Sequence, residues 1–154
     1  MLKKFPLVLL ALAAFASVSV HAQTRGPAPA LSSIRIYAVG SPSCNWEIIS
    51  TGAFSTTCNH GGGQIQVAVL EIGYGSTYPL VKMSGNTLPS SARYSRTPVC
   101  GTASNYTFTC SAGQIVIGFL NEYNLGSSYQ SGLFTYQNNS INGGGTFYAR
   151  INIL

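Results

Sequence analysis

Residues 64–72 read QIQVAVLEI, and residues 114–120 read QIVIGFL. In the first stretch Ile65, Val67 and Val69 alternate with residues that are themselves mostly apolar, so both faces of an extended chain would be hydrophobic. A strand that is apolar on both faces is typical of the centre of a β-structure, where other layers cover it from two sides. The second stretch has the same character. We therefore predict two central strands.

Both stretches belong to a longer internal repeat. Residues 58–78 recur as residues 110–129, with Leu70 matching Leu120. A repeat of this kind indicates a duplicated β-rich unit, because one such unit cannot bury its apolar face alone.

Three further strands are predicted at 33–39, 132–137 and 145–153, where Ile, Phe and Tyr are frequent, and no window has convincing helical periodicity. The sequence thus predicts an all-β fold. We expect a disulfide-stapled β-sandwich or twisted barrel with an internal pseudo-twofold repeat, whose units are residues 33–91 and 92–154.

The first residues are typical of a signal peptide. Lys3 and Lys4 precede an apolar stretch at 7–20, and Val20-His21-Ala22 offers a small-residue cleavage site. We predict a signal peptide at 1–22, a flexible leader rich in Gly and Pro at 23–32, and a single β domain at 33–154. No later segment is long and apolar enough to span a membrane, so the protein is expected to be secreted or periplasmic.

The four cysteines all lie after the predicted signal peptide, and export favours disulfides over free thiols. Three pairings are possible, and the repeat favours Cys44 with Cys58 and Cys100 with Cys110. Each local loop would then contribute roughly 3 kcal/mol. The spacing does not suit a zinc site. We expect no metal and no cofactor.

The positive charge is weak. The formal net charge of +5 falls to +3 when Lys3 and Lys4 leave with the signal peptide. Nucleic-acid binding needs a clustered row of Lys and Arg, which this chain lacks, so no nucleic-acid partner is expected.

Arginines recur near the start of three predicted strands, at Arg35, Arg93 and Arg150. They could form ion pairs with Glu71 and Glu122, which end the two central strands. They could also be solvated edge positions or an anion-binding cluster. Exposed ion pairs contribute little in any case.

Candidate catalytic residues are few. Glu71 and Glu122 could imitate the carboxylate pair of a glycosidase. His60 follows Cys58 closely and could cap a loop, contact a ligand or act as a base. A Cys-His pair is ruled out if every cysteine is oxidised, and a Ser-His-Asp triad lacks an aspartate, although Glu could substitute.

Aromatic and amide side chains dominate the candidate binding residues. Trp46, Tyr74, Tyr123 and His60 are the side chains that we expect to contact a ligand, since aromatic rings stack on sugars and pack on proteins. This interpretation requires Trp46, Tyr74 and Tyr123 to be exposed together on one face.

Three motifs, NHGG at 59–62, EIGYG at 71–75 and SGLFTYQNNSIN at 131–142, together resemble the YolA-like family of small secreted bacterial proteins, a domain of unknown function. The resemblance covers about residues 33–151 and implies export and a shared β-rich fold, with no assigned reaction. Relatives carry aspartates where this chain has SAGQ at 111–114. A calcium site built from those aspartates would be absent here, because this loop has no carboxylate.

These observations favour an extracellular binding module for a cell-surface glycan or protein, and they favour binding over catalysis. A secreted glycosidase-like hydrolase that uses Glu71 and Glu122, or a secreted antibacterial effector, remains the alternative.

Overall fold

The computed structural model describes residues 28–154, so the predicted signal peptide at 1–22 lies outside the described part of the chain. A 3₁₀ turn at Ser90–Ala92 is the one helical element in that part. The strands are β1 (Ser33–Ser41), β2 (Asn45–Ile48), β3 (Gln66–Ile72), β4 (Leu80–Met83), β5 (Asn86–Thr87), β6 (Arg93–Gly101), β7 (Tyr106–Thr107), β8 (Val116–Asn124), β9 (Gly132–Asn139) and β10 (Thr146–Ile153).

The strands form two sheets that confirm the all-β prediction. The large sheet has the order β2-β1-β3-β8-β6-β7 and curls into a half-barrel, and the small sheet has the order β10-β9-β4-β5. Each sheet is symmetric about its centre, because the strands of the first repeat lie on one side of the centre and those of the second repeat on the other. Leu70 lies directly opposite Leu120 where β3 meets β8, so the axis of the duplication passes through this pair.

Two apolar clusters explain why β3 is hydrophobic on both faces. Val67 and Val69 of β3 pack between the sheets against Phe134 and Tyr136 of the small sheet. Leu70 belongs to a second cluster on the opposite face of the large sheet. Burying side chains of this size contributes about 1.5–3 kcal/mol each.

Aromatic rings close the second cluster inside the curl of the large sheet. The ring of Tyr37 in β1 meets Phe108, just after β7, at a centroid distance of 5.1 Å. Arg35 donates a hydrogen bond of 2.7 Å from its Nη2 to the hydroxyl of Tyr106. Side chains of β1 therefore contact β7 and the residue just after it across the concave side of the sheet.

Both disulfides have the predicted pairing, Cys44 with Cys58 and Cys100 with Cys110. They are consistent with an extracellular or periplasmic location. Residues 28–154 contain no helix that is long and apolar enough to cross a membrane.

The flexible leader predicted at 23–32 is wrong for the residues that the structure describes. Leu31 is buried at 2% exposure, and the Tyr74 amide donates to the Pro29 carbonyl. Gly73 permits this docking, because a Cβ there would collide with the backbone of Ala30. The domain therefore begins before residue 33.

Ion pairs between arginines and glutamates, one of the alternatives left open above, are absent within residues 28–154. The one short contact between a carboxylate and a basic side chain in that part of the chain joins Glu47 to His60. Arg150 lies in the middle of β10 and belongs to the small sheet, so it is not equivalent to Arg35 and Arg93 of the large sheet.

Candidate functional site

The three aromatic residues predicted to share an exposed face are not together. Trp46 is 44% exposed, whereas Tyr123 is buried at 3% between the sheets. Tyr74 is half-buried, and its ring packs edge-on against Phe119. Tyr123 points inward because it lies opposite Val67, whose face of β3 covers the small sheet. Of the three, only Trp46 can offer an open ring to a ligand.

Trp46 borders a pocket of about 260 Å³ at one end of the large sheet, which we call the Trp46 pocket. Strands β1, β2, β3 and β8 supply most of its wall, together with Pro42 and Gln64 from the loops beside them. Its lining residues are Gly40, Ser41, Pro42, Asn45, Trp46, Gln64, Gln66 and Asn124.

Local sequence explains the position of the indole ring. Trp46 lies directly opposite Gly40 in the β1–β2 pair, and its ring sits over that glycine. A Cβ at Gly40 would lie 2.9 Å from the ring, which is too close for any other residue. In this position the indole keeps 44% of the residue's surface exposed.

Backbone strain is concentrated at the same pocket. In the described chain only Asn45, Gln64 and Ser84 have positive φ without being glycine. Two of these three, Asn45 at 51° and Gln64 at 56°, line the Trp46 pocket. Such conformations cost free energy and persist where surrounding structure holds them, often at binding sites.

The chemistry of the pocket is polar and uncharged, as far as residues 28–154 line it. Four of its lining residues, Asn45, Gln64, Gln66 and Asn124, carry side-chain amides. Amides both donate and accept hydrogen bonds, so the wall can satisfy hydroxyl groups of a ligand in either sense. The pocket therefore suits a neutral, hydroxyl-rich molecule.

His60 lies behind the pocket wall and is fully buried, so it cannot contact a ligand directly. Its Nδ1 is 3.0 Å from Ser41 Oγ, and its Nε2 is 3.2 Å from Glu47 Oε2. Its backbone amide also donates to the carbonyl of Leu154. Ser41 follows Gly40 in β1, so its side chain lies with His60 and Glu47 on the face of the sheet opposite the Trp46 ring.

Glu47 is held in its ionised form. Burial raises the pKa of Glu47, but hydrogen bonds from the Thr57 and Cys58 amides and from the side chains of Thr57 and His60 outweigh this and lower the pKa below its ordinary value. The two amide bonds measure 2.8 and 3.0 Å. Sequence analysis missed Ser41 and Glu47, since neither has a motif that links it to His60.

Glu71 has a different environment from the one that a glycosidase needs. It is 1% exposed, and its carboxylate accepts hydrogen bonds from Tyr136, Asn138 and Asn121 at 2.9, 2.6 and 3.2 Å. Glu71 faces the small sheet with Asn121, so the next residue, Glu122, points to the opposite face. The proposed carboxylate pair is therefore wrong, because no single cleft can hold both acids.

Two tyrosines beside Glu71 have perturbed hydroxyls. Burial raises the pKa of Tyr123 to about 12. Burial, with the nearby Tyr123 and Glu71, raises the pKa of Tyr136 far above its ordinary range. Both hydroxyls stay protonated, and that of Tyr136 donates to Glu71.

A second pocket of about 470 Å³ lies beside Gly61 and Gln130. The Gly62 amide donates a 2.7 Å hydrogen bond to Gln130 Oε1, which ties the 61–63 loop to this wall. The second pocket is lined by Asn59, Gly61, Gln130, Ser131, Gly132, Asn152, Ile153 and Leu154.

Residues 26–153 match a domain of unknown function, DUF4879. The chain belongs to this family. No curated protein matches the chain. The finer resemblance to the YolA-like family stays a prediction.

Proposed function

We propose that this DUF4879 protein is an exported binding module that recognises a neutral sugar of a cell-surface glycan in the Trp46 pocket. The observation that carries the proposal is the combination of an open indole ring with four side-chain amides around a small, uncharged pocket. Trp46 would stack on the apolar face of the sugar ring, and the amides would bond its hydroxyls.

Preorganisation supports binding at this place. The ring of Trp46 is set over Gly40, and the disulfide Cys44–Cys58 anchors the turn between Pro42 and Asn45. Asn45 and Gln64 are already held in unfavourable backbone conformations. A wall fixed before the ligand arrives loses less conformational entropy on binding, which increases affinity.

Export is part of the proposal. The predicted signal peptide, the two disulfides and the resemblance to a family of small secreted proteins all support it. An exported protein meets cell-surface polysaccharides, which present neutral sugars in many copies.

The test is a glycan array followed by calorimetry on the best ligand, with Trp46→Ala as the variant. We expect Trp46→Ala to weaken binding at least about tenfold, because aromatic anchors in a pocket carry much of the binding free energy. Trp46→Phe should retain part of the affinity. Tyr78→Ala is the matched control, since Tyr78 is 83% exposed and lies outside the pocket.

Equal binding by wild type and Trp46→Ala would contradict the proposal. So would binding restricted to acidic glycans or to proteins, since no charged residue among 28–154 lines the pocket to bind the former, and the pocket is too small to bind the latter.

A further inference from the structure

The face of the large sheet that carries Trp46 begins with one row of residues from four strands. Gly40 lies opposite both Trp46 and Gln66, and Gln66 lies opposite Asn124. Residues directly opposite each other in adjacent strands have their side chains on the same face. This face is turned away from the small sheet, since Val67, which follows Gln66, packs against that sheet.

The next row on the same face contains a carboxylate. Ala38 lies opposite Ala68, and Ala68 lies opposite Glu122. Glu122 in turn lies opposite Ser95 of β6. The two alanines are buried, at 3% and 2% exposure, whereas Glu122 and Ser95 are partly exposed. Because Glu122 is two residues from Asn124 in β8, its side chain is on the same face as the amides of the Trp46 pocket.

A β-bulge in β6 adds a tyrosine at the end of this second row. The register shifts between Arg93 and Ser95, which leaves Tyr94 as the extra residue. Bulges of this kind redirect a side chain. Tyr94 is 51% exposed. Burial of part of its ring, together with the nearby Glu122 carboxylate, raises the pKa of Tyr94, so its hydroxyl lies close to Glu122.

We propose that these residues form a groove that runs from Trp46 across the sheet, past Glu122, to Tyr94 and binds a glycan of several linked sugars, and that Glu122 selects a glycan with a protonated amine. We call this path the cross-strand groove. It rests on the proposed function, since the Trp46 pocket holds the first sugar.

The separation of the two aromatic rings requires a ligand longer than one sugar. Strands β2 and β6 lie at the two ends of the order β2-β1-β3-β8-β6. They are separated by four strand spacings of about 4.8 Å each before the curl of the sheet shortens the distance. A monosaccharide in the Trp46 pocket does not reach Tyr94, whereas an oligosaccharide does. Tyr94 then offers a second ring on which a sugar can stack.

Glu122 is the one charged side chain of the two rows. Within residues 28–154 no lysine or arginine is in salt-bridge contact with it. Arg35 faces the same side further along β1, but its guanidinium donates to the Tyr106 hydroxyl and its Cζ lies 5.0 Å from the centroid of the Tyr37 ring. A carboxylate in this setting attracts an ammonium group and repels acidic sugars. The groove therefore suits a glycan in which a sugar with a free amine follows the neutral sugar in the pocket.

The test of the groove is calorimetry with chitin oligosaccharides, from the monosaccharide to the hexasaccharide, and with the same oligosaccharides after partial deacetylation. We expect the affinity of the wild type to rise with chain length. Tyr94→Ala should weaken binding of the hexasaccharides about tenfold and leave binding of the monosaccharide unchanged. Tyr94→Phe should keep the gain, because the ring remains. Tyr148→Ala is the matched control, since Tyr148 is 54% exposed and lies in the small sheet.

Glu122→Gln tests the selection of an amine. At mildly acidic pH, where the amines of the probe are charged, the wild type should bind the partially deacetylated hexasaccharide at least about tenfold more tightly than the fully acetylated one. That preference should disappear in Glu122→Gln, and added salt should reduce it in the wild type by screening the charges. An unchanged melting temperature shows that the variant has lost selection rather than its fold.

Wild-type affinity that does not depend on chain length, or a Tyr94→Ala variant that binds the hexasaccharides like wild type, would overturn the groove. A preference for the deacetylated hexasaccharide that is absent from wild type, or that persists in Glu122→Gln, would overturn the role of the carboxylate. If another sugar binds in a Trp46-dependent manner while neither series of probes binds, only the cross-strand groove is refuted. Sugar binding that does not depend on Trp46 would refute the proposed function and the groove together.

Discussion

Glu71 and Glu122 differ by one position between the two repeats, and this single residue puts them on opposite faces of the large sheet. With Leu70 facing Leu120, the residue equivalent to Glu71 is Asn121. Because side chains alternate along a strand, Glu122 points away from it. The sequence revealed the repeat but not its register, which depends on strand pairing. Two acids in near-equivalent places of the repeat therefore do not form a pair.

The hydrogen bonds of Glu71 to Tyr136, Asn138 and Asn121 join the two sheets. Removing the Glu71 carboxylate should therefore destabilise the fold. We expect Glu71→Ala to lower the free energy of unfolding by about 3–5 kcal/mol, because buried partners lose their acceptor. Glu71→Gln should cost less, since one amide oxygen can still accept. Urea denaturation measures both. Glu122→Gln is the matched control and should change stability by no more than about 0.5 kcal/mol.

Glu47 should make stability depend on pH in the acid range. Its pKa in the folded protein lies below the ordinary value, so its contribution is present above the ordinary pKa and is lost as pH falls through the lowered one. Melting temperatures measured from pH 7 to pH 3 should fall less steeply in Glu47→Gln than in wild type. An identical acid slope in the two proteins would show that Glu47 is not a source of this dependence.

Among the elements, five of the six long strands could be predicted and the short ones could not. The exception is β6, whose sequence RYSRTPVCG has few large apolar residues and contains a proline. β1, β3, β8, β9 and β10 each contain enough alternating or apolar residues to be recognised. β2, β4, β5 and β7 have two to four residues each, too few for a pattern. The Trp46 pocket depends on one of these, β2. Its partners Ser41, Glu47 and His60 meet through folding of a loop, which no local pattern indicates.

The segment before β1 behaves as part of the domain. The Ser32 amide bonds the carbonyl of Ile72, and Leu31 is buried beside it. Compared with a chain that begins at Ala28, a chain that begins at Ser33 should lose about 2–3 kcal/mol, mainly from Leu31. Thermal denaturation of the two truncated proteins checks this. Equal stability would mean that the docking of residues 28–32 contributes nothing.

At the scale of the whole molecule, the duplication has produced two similar scaffolds with different surfaces. Each half has its own disulfide, over separations of 14 and 10 residues. Only the first half has Trp46, Glu47 and His60. The number of cysteines and the internal repeat were enough to predict the two disulfides. The difference between the surfaces of the two halves depends on side-chain packing.

Removing each disulfide in turn should therefore show which one affects stability alone and which one also affects binding. Replacing either pair by serine should cost about 3 kcal/mol, because each closes a loop of similar length. Only the loss of Cys44–Cys58 should also weaken ligand binding at the Trp46 pocket, since Cys44 lies between Pro42 and Asn45 of its wall. Calorimetry on both double variants compares the effects. Equal affinity in the two would contradict this assignment.

The symmetry of the large sheet also determines where a second binding pocket could be built on the same molecule. Strands β6 and β7 of the second half correspond to β1 and β2, but no tryptophan or histidine accompanies them. Replacing β6 and β7 by the β1–β2 hairpin, together with its 56–64 loop, would give one chain two copies of the Trp46 pocket related by the twofold axis. On a polymer of repeating sugars, a spacing that lets both pockets bind at once would raise avidity by about 10²–10⁴ over a single pocket.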